Sequence, residues 1–368
     1  MARRPYVVCS GGGTGGHLAP GLSVLRALEH RWDELDARFL IVGREVERRF
    51  LEKTPWSVRR VVTARTPKRR WTMPLTMTII LSGTIQCIAM YLVRRPTVVI
   101  GLGGYGSIPG ILAARALGVP IVQIEVNRHP GAAVRKLSRF AKVTFTAFED
   151  TGEKLRGRAD CVGVPLREGF EPVDRAEARR RFDLDPDRIT VTVVGGSQGA
   201  RCLNRAMTAI ADRLAEWDVQ VLHQVGAAEA DAVRRRYDEA GVAGRVEAFV
   251  DDMAAAWSAA DVIVARAGAS TVAEIAVVGR AAVFVPFESA AESHQLFNVK
   301  RLADEGAAEV LTEAEAGGER FAEVLDALIH DEARRRSMAE AIAKQGNPNA
   351  AATIAAKIDG LLPRGLPQ

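Results

Sequence analysis

Short apolar runs recur along the chain, each followed by a glycine-containing turn and then by a longer stretch whose apolar positions lie three and four apart. Such runs read as strands buried on both faces and the stretches after them as helices, so the repeating unit is the βα unit of a parallel sheet. Four units stand out: residues 6–10 with 11–16, 97–101 with 103–110, 189–194 with 195–199, and 262–265 with 266–270. The first and third each open a half of the chain with strand, glycine-rich turn and helix, which predicts an α/β fold of two doubly wound parallel-sheet domains in tandem. Their junction falls near Gly163-Val-Pro-Leu-Arg167. The expected division is an N-terminal domain over 1–163, a C-terminal domain over 164–345, and a helix in 346–368 that could return to the N-terminal domain. The length of 368 residues agrees, because single hydrophobic cores stop growing near ~250 to 300 residues.

One segment departs from this alternation. Residues 73–93 carry no charge over 21 positions and are flanked by Lys68-Arg-Arg70 and Arg94-Arg95. As a helix they would extend ~32 Å, enough to cross a bilayer. A single span, however, would put residues 11–17 and 101–110 on opposite sides of the membrane, although both belong by pattern to one sheet. Two readings remain: a crossover helix buried against the sheet, or a helix whose half-exposed apolar face, with a basic collar at Arg59, Arg60, Arg65, Lys68, Arg69 and Arg70, docks on an anionic membrane surface. The second is preferred.

Composition adds little until it is divided. A hydrophobic content of 48% and a charged fraction of 26% are those of an ordinary globular protein. The net charge of +5 conceals an asymmetry: residues 1–165 carry 26 basic and 12 acidic side chains, and the remainder 24 and 33. A basic half attracts nucleic acid, anionic headgroups or phosphorylated substrates. Aromatic and basic residues do not interleave, so nucleic acid is not an expected partner. Cys9, Cys87, Cys161 and Cys202 are far apart and form no C-x-x-C pair, so they suggest neither a disulfide framework nor a zinc site and fit a reducing compartment. The N-terminus runs directly into a strand-like segment without the features of a signal peptide, so a cytoplasmic location is expected.

The candidate chemistry sits on the glycine-rich turns. Gly11-Gly-Gly-Thr-Gly-Gly-His17 follows a strand and precedes a helix expected to hold Pro20 in its first turn. Backbone N–H groups and the positive end of a helix dipole there suit an anion. It is not the dinucleotide fingerprint, because no acidic strand end follows about twenty residues on. Read as a tight turn alone, it leaves His17 at the mouth of the strand ends unexplained. Gly195-Gly-Ser-Gln-Gly199 repeats the device in the second half, where Ser197 can add a hydroxyl toward a diphosphate. Thr271-Val-Ala-Glu274 fits a capping box, which spacing alone favours, but Glu274 could instead accept from both hydroxyls of a ribose. Asn127 and Arg167 stand at the ends of strand-like segments, and Gln295 lies in a polar run after an apolar one.

Read together, Gly12-Gly-Thr-Gly-Gly-His-Leu-Ala-Pro-Gly21, Gly103-Gly-Tyr-Gly-Ser-Ile-Pro-Gly110, Gly195-Gly-Ser-Gln-Gly-Ala-Arg201, Phe249-Val-Asp-Asp-Met-Ala254 and Arg266-Ala-Gly-Ala-Ser-Thr-Val-Ala-Glu-Ile275 closely resemble the MurG family, in order, across about residues 5–310. The resemblance implies the GT-B architecture: two Rossmann-like domains facing a cleft, the lipid acceptor on the N-terminal one and the nucleotide sugar on the C-terminal one. It also implies the reaction, transfer of N-acetylglucosamine from UDP-N-acetylglucosamine to the 4-hydroxyl of an undecaprenyl-pyrophosphoryl-muramyl-peptide at the cytoplasmic face of the plasma membrane. No metal and no cofactor are implied.

Carried across by motif, the resemblance surrounds the donor with Thr14, Gly15, Gly16, Asn127, Arg167, Ser197, Val250, Ala269, Ser270, Thr271, Val272, Ala273, Glu274 and Gln295. Glu274 then binds ribose rather than capping its helix, Val250 offers backbone to the uracil, Ser197 meets the diphosphate, and Gln295 and Asn127 meet the sugar hydroxyls. His17 is the implied general base, since an imidazole of pKa ~6.5 can take a hydroxyl proton at neutral pH. The chain departs from the family at Ile124-Glu-Val-Asn127, where His-Glu-Gln-Asn is usual, at Gly163-Val-Pro-Leu-Arg167 for Gly-Asn-Pro-Val-Arg, and at His294-Gln295 for a glutamine pair. Alternatives are a transferase of the same fold acting on another lipid, such as a diacylglycerol, and an idle membrane scaffold.

Overall fold

The computed structural model describes residues 4–12, 15–32, 34–52, 54–64, 73–196, 198–288 and 294–362. They form two compact units, one of residues 1–169 with 348–368 and one of 170–347. The first holds a seven-stranded sheet built from β1 (Tyr6–Ser10), β2 (Asp36–Ile41), β3 (Ser57–Arg60), β4 (Val98–Gly101), β5 (Ile121–Glu125), β6 (Val143–Thr146) and β7 (Ala159–Cys161), in the order β3-β2-β1-β4-β5-β6-β7. The second holds six strands, β8 (Thr190–Val194), β9 (Gln220–Gln224), β10 (Ala243–Glu247), β11 (Val262–Ala265), β12 (Ala281–Phe284) and β13 (Glu309–Val310), in the order β10-β9-β8-β11-β12-β13. Neighbouring strands in both sheets run parallel, as in the registers Ser10↔Gly101 for β1 and β4 and Val194↔Ala265 for β8 and β11. The two sheets share one winding, and in each the strand order reverses beside the first strand. That switch point is where a doubly wound sheet leaves a crevice at its carboxyl edge.

The central strands are mostly apolar because both faces of the sheet are covered there, whereas the edge strands β3 and β10 carry charged, exposed residues. Val7, Val8 and Cys9 in β1 and Val191 and Val193 in β8 are inaccessible to solvent, each buried aliphatic contributing ~1.5 to 3 kcal/mol. The helices that bear on function are α1 (Gly15–Glu29), α2 (Glu45–Leu51), α3 (Met73–Val93) and α4 (Ser107–Ala116) in the first unit, and α5 (Arg201–Ala209), α6 (Met253–Ala259), α7 (Ala269–Val278) and α8 (His294–Asp304) in the second. A final helix, α9 (Ala350–Leu361), belongs to the first unit. Its Asp359 accepts from the Trp32 indole at 2.9 Å and from Arg31 at 3.1 Å, and Lys357 pairs with Asp160 at 2.5 Å. The Trp32 bond, with Arg31 behind it, holds the Asp359 carboxyl below its usual range.

Two expectations are corrected here. α1 begins at Gly15, so Pro20 lies inside the helix and not in its first turn. α7 begins at Ala269 with Gly268 as its N-cap and no side-chain cap bond. Thr271 and Glu274 are therefore both within the helix, and the capping-box reading of Glu274 falls.

α3 connects β3 to β4, two strands of one sheet, so it is a crossover and both its ends return to the same unit. Gly83, Thr84, Cys87 and Tyr91 form its packed side. A Cβ on Gly83 would lie 1.9 Å from the Val62 carbonyl oxygen, and the Tyr91 hydroxyl donates to the Gly110 carbonyl at 3.4 Å. The other side leaves Leu75 64%, Leu81 59% and Leu92 69% exposed. A crossover buried on all sides is thereby corrected: the helix packs along one side and exposes apolar residues on the other, the half-exposed face of the preferred reading.

In the second unit His223 is buried within β9, with Nδ1 2.9 Å from the Tyr237 hydroxyl and no partner for Nε2 among the described residues. Burial pushes its pKa down to about 3. The unfolded chain takes up this proton near pH ~6.5, so stability held above that pH is lost at ~1.4 kcal/mol per unit as pH falls toward 3. Between pH 7 and 5 the unfolding free energy of the wild type should therefore drop by about 2 kcal/mol more than that of His223→Gln, read from urea titrations. Equal drops would mean that the folded protein protonates His223.

Candidate functional site

In the first unit the turns after β1 and β4 meet backbone to backbone. Gly11 has φ +147°, and a Cβ there would lie 2.8 Å from the Gly103 carbonyl oxygen. A Cβ on Gly104, at φ +66°, would lie 2.8 Å from the Gly12 carbonyl oxygen. Only glycine lets the two loops approach this closely, and the approach brings the starts of α1 and α4 side by side at the switch point. His17, in the first turn of α1, is half-buried and lies over Gly103, its Cδ2 3.4 Å from where that residue's Cβ would be. Gly16, His17, Pro20, Leu102, Ile124, Glu125 and Val126 enclose a cavity of about 10 Å³, room for roughly one water. The departures at Ile124 and Val126 therefore fall on the wall that His17 faces, and both side chains are buried.

Two buried carboxylates that sequence reasoning did not single out hold these turns in place. Glu125, at the end of β5, accepts from the Asn127 backbone at 3.0 Å, the Asn127 side-chain amide at 3.1 Å and the Gly131 backbone at 2.9 Å. Asn127 is thereby oriented by its neighbour two residues back. Glu47, in α2, accepts from the Gly43 and Arg44 N–H groups at 2.7 Å each, and its Oε1 lies 2.2 Å from where a Cβ on Gly12 would be. An acidic residue closing a buried, mostly apolar strand was the available signal for Glu125. Glu47, within a run of mixed charge, gave none.

The second unit repeats the arrangement. After β8 the Gly199 N–H is bonded to the Gly196 carbonyl at 2.8 Å. At Gly199, φ +74°, a Cβ would come within 2.0 Å of the Val225 carbonyl oxygen, while Gly196, φ +92°, has nothing within 4 Å. α5 starts beyond this turn, and its N-cap Ala200 makes no side-chain cap bond. α7, after the neighbouring strand β11, likewise starts without a side-chain cap. Each helix start leaves N–H groups without intrahelical partners and places partial positive charge at the same carboxyl edge. The pair is suited to a diphosphate.

Around these helix starts stand the other predicted residues of this unit. Ala269 to Glu274 all lie in the first two turns of α7, with Ala269 and Val272 buried. Glu274 is half-buried and its Oε2 accepts from the Trp257 indole N–H at 2.9 Å. Trp257, on α6, is among the most deeply buried side chains of the protein, and sequence reasoning passed over it. The Val250 side chain is buried against Leu222, Ala255 and Ala256, which leaves its backbone to meet a ligand. Gln295, in the first turn of α8, accepts from the Phe287 N–H at 2.9 Å. Arg167 is exposed in the first unit, beyond β7. Thr14 and Ser197 lie outside the described residues, as do Arg65, Lys68, Arg69 and Arg70; Gly15 opens α1 and Gly16 follows it.

Among the described residues no group of three or more His, Cys, Asp or Glu side chains is placed to hold a metal ion. Asp183, Asp185 and Asp187 alternate before β8, at the opposite edge of the sheet. Asp183 there pairs with Arg245, and Asp185 accepts from the Asp187 N–H at 2.8 Å.

Comparison with known proteins agrees with this geometry. Residues 7–146 match the glycosyltransferase family 28 N-terminal domain and residues 190–354 the glycosyltransferase family 28 C-terminal domain. The chain is 31% identical over 362 residues to the UDP-N-acetylglucosamine–N-acetylmuramyl-(pentapeptide) pyrophosphoryl-undecaprenol N-acetylglucosamine transferase of Thermodesulfovibrio yellowstonii, covering 97% of this chain and 99% of that one. It is 36% identical to the enzyme of the same name from Nitratidesulfovibrio vulgaris, covering 97% and 96%. Among solved structures, MurG of Acinetobacter baumannii superposes with a TM-score of 0.79 at 29% identity, covering 97% and 99%. A glycosyltransferase of kitacinnamycin, at 17% identity and a TM-score of 0.68, shares the fold.

The crowding at Gly199 generates a prediction independent of any ligand. Gly199→Ala puts a Cβ into the left-handed region and against a carbonyl oxygen. It should lower unfolding free energy by about 2 kcal/mol or more in denaturant titrations. A variant as stable as the wild type would mean that the turn relaxes freely.

Proposed function

The chain belongs to the MurG family of glycosyltransferases, and on that premise we propose that it moves N-acetylglucosamine from UDP-N-acetylglucosamine to the 4-hydroxyl of a lipid-linked muramyl-peptide, one step of peptidoglycan synthesis. The observation that carries the reading is the pair of helix starts, α5 and α7, at one switch point, with a carboxylate on α7 already oriented by an indole. N–H groups without intrahelical partners at both helix starts suit the diphosphate of a nucleotide sugar, and Glu274 suits the two hydroxyls of its ribose. On this reading the C-terminal unit binds the donor and the N-terminal unit the acceptor.

The reaction is a single displacement with inversion. The acceptor hydroxyl forms a bond to the anomeric carbon as the bond from that carbon to the diphosphate oxygen breaks, and UDP departs with the electron pair. His17 takes the hydroxyl proton. Preorganised N–H dipoles at Arg201 and Ala269, with Ser197, meet the charge that develops on the leaving diphosphate. In the second unit Gln295 meets the sugar hydroxyls and Val250 the uracil; in the first, Thr14, Gly15, Gly16, Asn127 and Arg167 are the positions that match the family's donor motifs.

The acceptor's lipid tail explains the exposed side of α3. Its uncharged residues are the chain's best candidates for insertion among lipid tails, and the cations flanking it in sequence suit anionic headgroups. Such binding places the enzyme peripherally on the cytoplasmic face of the plasma membrane, with no part for nucleic acid.

The function is tested by incubating labelled UDP-N-acetylglucosamine with a short-chain muramyl-pyrophosphoryl lipid and weighing the product, which should gain one N-acetylhexosamine. His17→Ala should slow turnover about 10²- to 10⁴-fold with donor affinity little changed. Glu274→Gln should weaken donor binding by about 1 to 3 kcal/mol. Wild-type turnover in the first variant, or a lowered melting temperature with intact donor affinity in the second, would remove those residues from the mechanism.

For the membrane, binding to anionic vesicles should weaken as salt rises yet leave a salt-resistant remainder, because charge is screened and apolar insertion is not. Leu81→Glu with Ile85→Glu should abolish that remainder and spare activity on a water-soluble acceptor. Co-sedimentation unchanged by both substitutions would mean that another surface touches the membrane.

A further inference from the structure

The first unit carries a second concavity on its carboxyl edge, apart from the cavity beside His17. A cavity of about 650 Å³ opens at the ends of β2 and β3, lined by Ile41, Leu51 and Val58 and rimmed by Glu45, Arg48, Glu52 and Arg60. Ile41 and Leu51 are buried in its floor, and Val58 is exposed. Arg48 is ion-paired with Glu45 at 3.0 Å. The Arg60 side chain lies across Gly43, its Nε 3.0 Å from where that residue's Cβ would be, and it has no acidic partner among the described residues. The lining thus offers apolar contact, one uncommitted guanidinium, and the exposed strand β3 at the edge of the sheet.

Its position relative to the reaction is set by α2. That helix presents Glu45, Arg48 and Leu51 to the cavity and Glu47 to Gly12 of the first glycine-rich turn. A helix with its side chains is ~10 Å across, whereas five extended residues reach ~17 Å. A peptide attached to a sugar at the glycine-rich turn is therefore long enough to pass over α2 and end in the cavity. Resting on the transferase reading, the geometry points to this groove as the subsite for the acceptor's peptide, with Arg60 receiving the terminal carboxylate and Ile41, Leu51 and Val58 its aliphatic side chains. A guanidinium recognises a carboxylate through two parallel N–H bonds, which a neutral terminus cannot match.

The test compares three short-chain, water-soluble muramyl-pyrophosphoryl acceptors: one with the intact pentapeptide, one lacking its last three residues, and one with the terminal carboxylate amidated. Membrane binding then contributes to no arm. For the wild type, KM should be about tenfold higher for the truncated and amidated acceptors than for the intact one, as expected for a lost charged hydrogen bond. Arg60→Gln should show that higher KM on all three, with the KM for UDP-N-acetylglucosamine unchanged, and Arg60→Lys should recover part of the difference. Equal wild-type KM values, or an Arg60→Gln penalty as large on the truncated acceptor as on the intact one, would overturn the peptide groove while leaving the transferase reading in place. Transfer to none of the three would overturn both.

Discussion

Two carbonyl oxygens, each 2.8 Å from where a neighbouring glycine's side chain would begin, set the geometry of the first unit. Because the loops after β1 and β4 touch through backbone alone, α1 and α4 can start next to each other and aim their N–H groups at one place. Any side chain at Gly11 or Gly104 would push the loops apart and separate the helix starts. His17 inherits its position from the same contact, since it sits over Gly103 one turn into α1. The second unit meets the constraint differently. There Gly199 abuts Val225, just beyond β9 on the other side of β8, and among the described glycines of the turns after β8 and β11 none is crowded by the other turn. The shared winding is thus reached through two local solutions.

This explains what could be read in advance. Glycines required by backbone crowding leave a mark in sequence, so the four turns, their strands and the two doubly wound units were legible from spacing. The central strands were nearly as plain, because a parallel sheet covered on both faces carries few polar positions, such as Gln123 and Thr192, to blur the pattern. Contacts between segments distant in sequence were not legible. Nothing near Glu274 announces that Trp257 will hold it, and nothing near Glu47 announces that it will lie against Gly12. Thr271 and Glu274 match a capping box letter for letter, yet the helix starts at Ala269 because Gly268 adopts the extended N-cap conformation, φ −65° and ψ 142°. Pro20 misled similarly: glycines already start the helix at Gly15, before proline's fixed φ could mark the beginning.

α3 shows a third kind of illegibility. Its composition is apolar throughout, so neither a stripe nor a periodicity advertises which side is buried. The packed side is marked by Gly83, Thr84, Cys87 and Tyr91, the last three lying one, four and eight residues from the first, and none of them is a large aliphatic. Close packing on α4 and on the Val62 carbonyl selects for small size, and the leucines are left outside. An ordinary surface helix has the opposite arrangement. Large residues displaced from a core and gathered on one exposed side are unfavourable in water, which is the physical reason for assigning that side to lipid.

The return of α9 to the first unit has a consequence for synthesis. The chain leaves this unit after Gly169 and re-enters it at Pro348. At ~5 to 20 residues per second, a ribosome therefore spends on the order of 10 to 40 seconds between delivering the seven strands and delivering the helix whose Asp359 bonds to Trp32 and Arg31. Through that interval the surface of α1 that receives α9 stays wet while the second unit emerges. A chain released between Val310 and Ala350, by truncation or stalling, would carry both sheets but an uncovered α1, a state that quality-control proteases and chaperones could recognise.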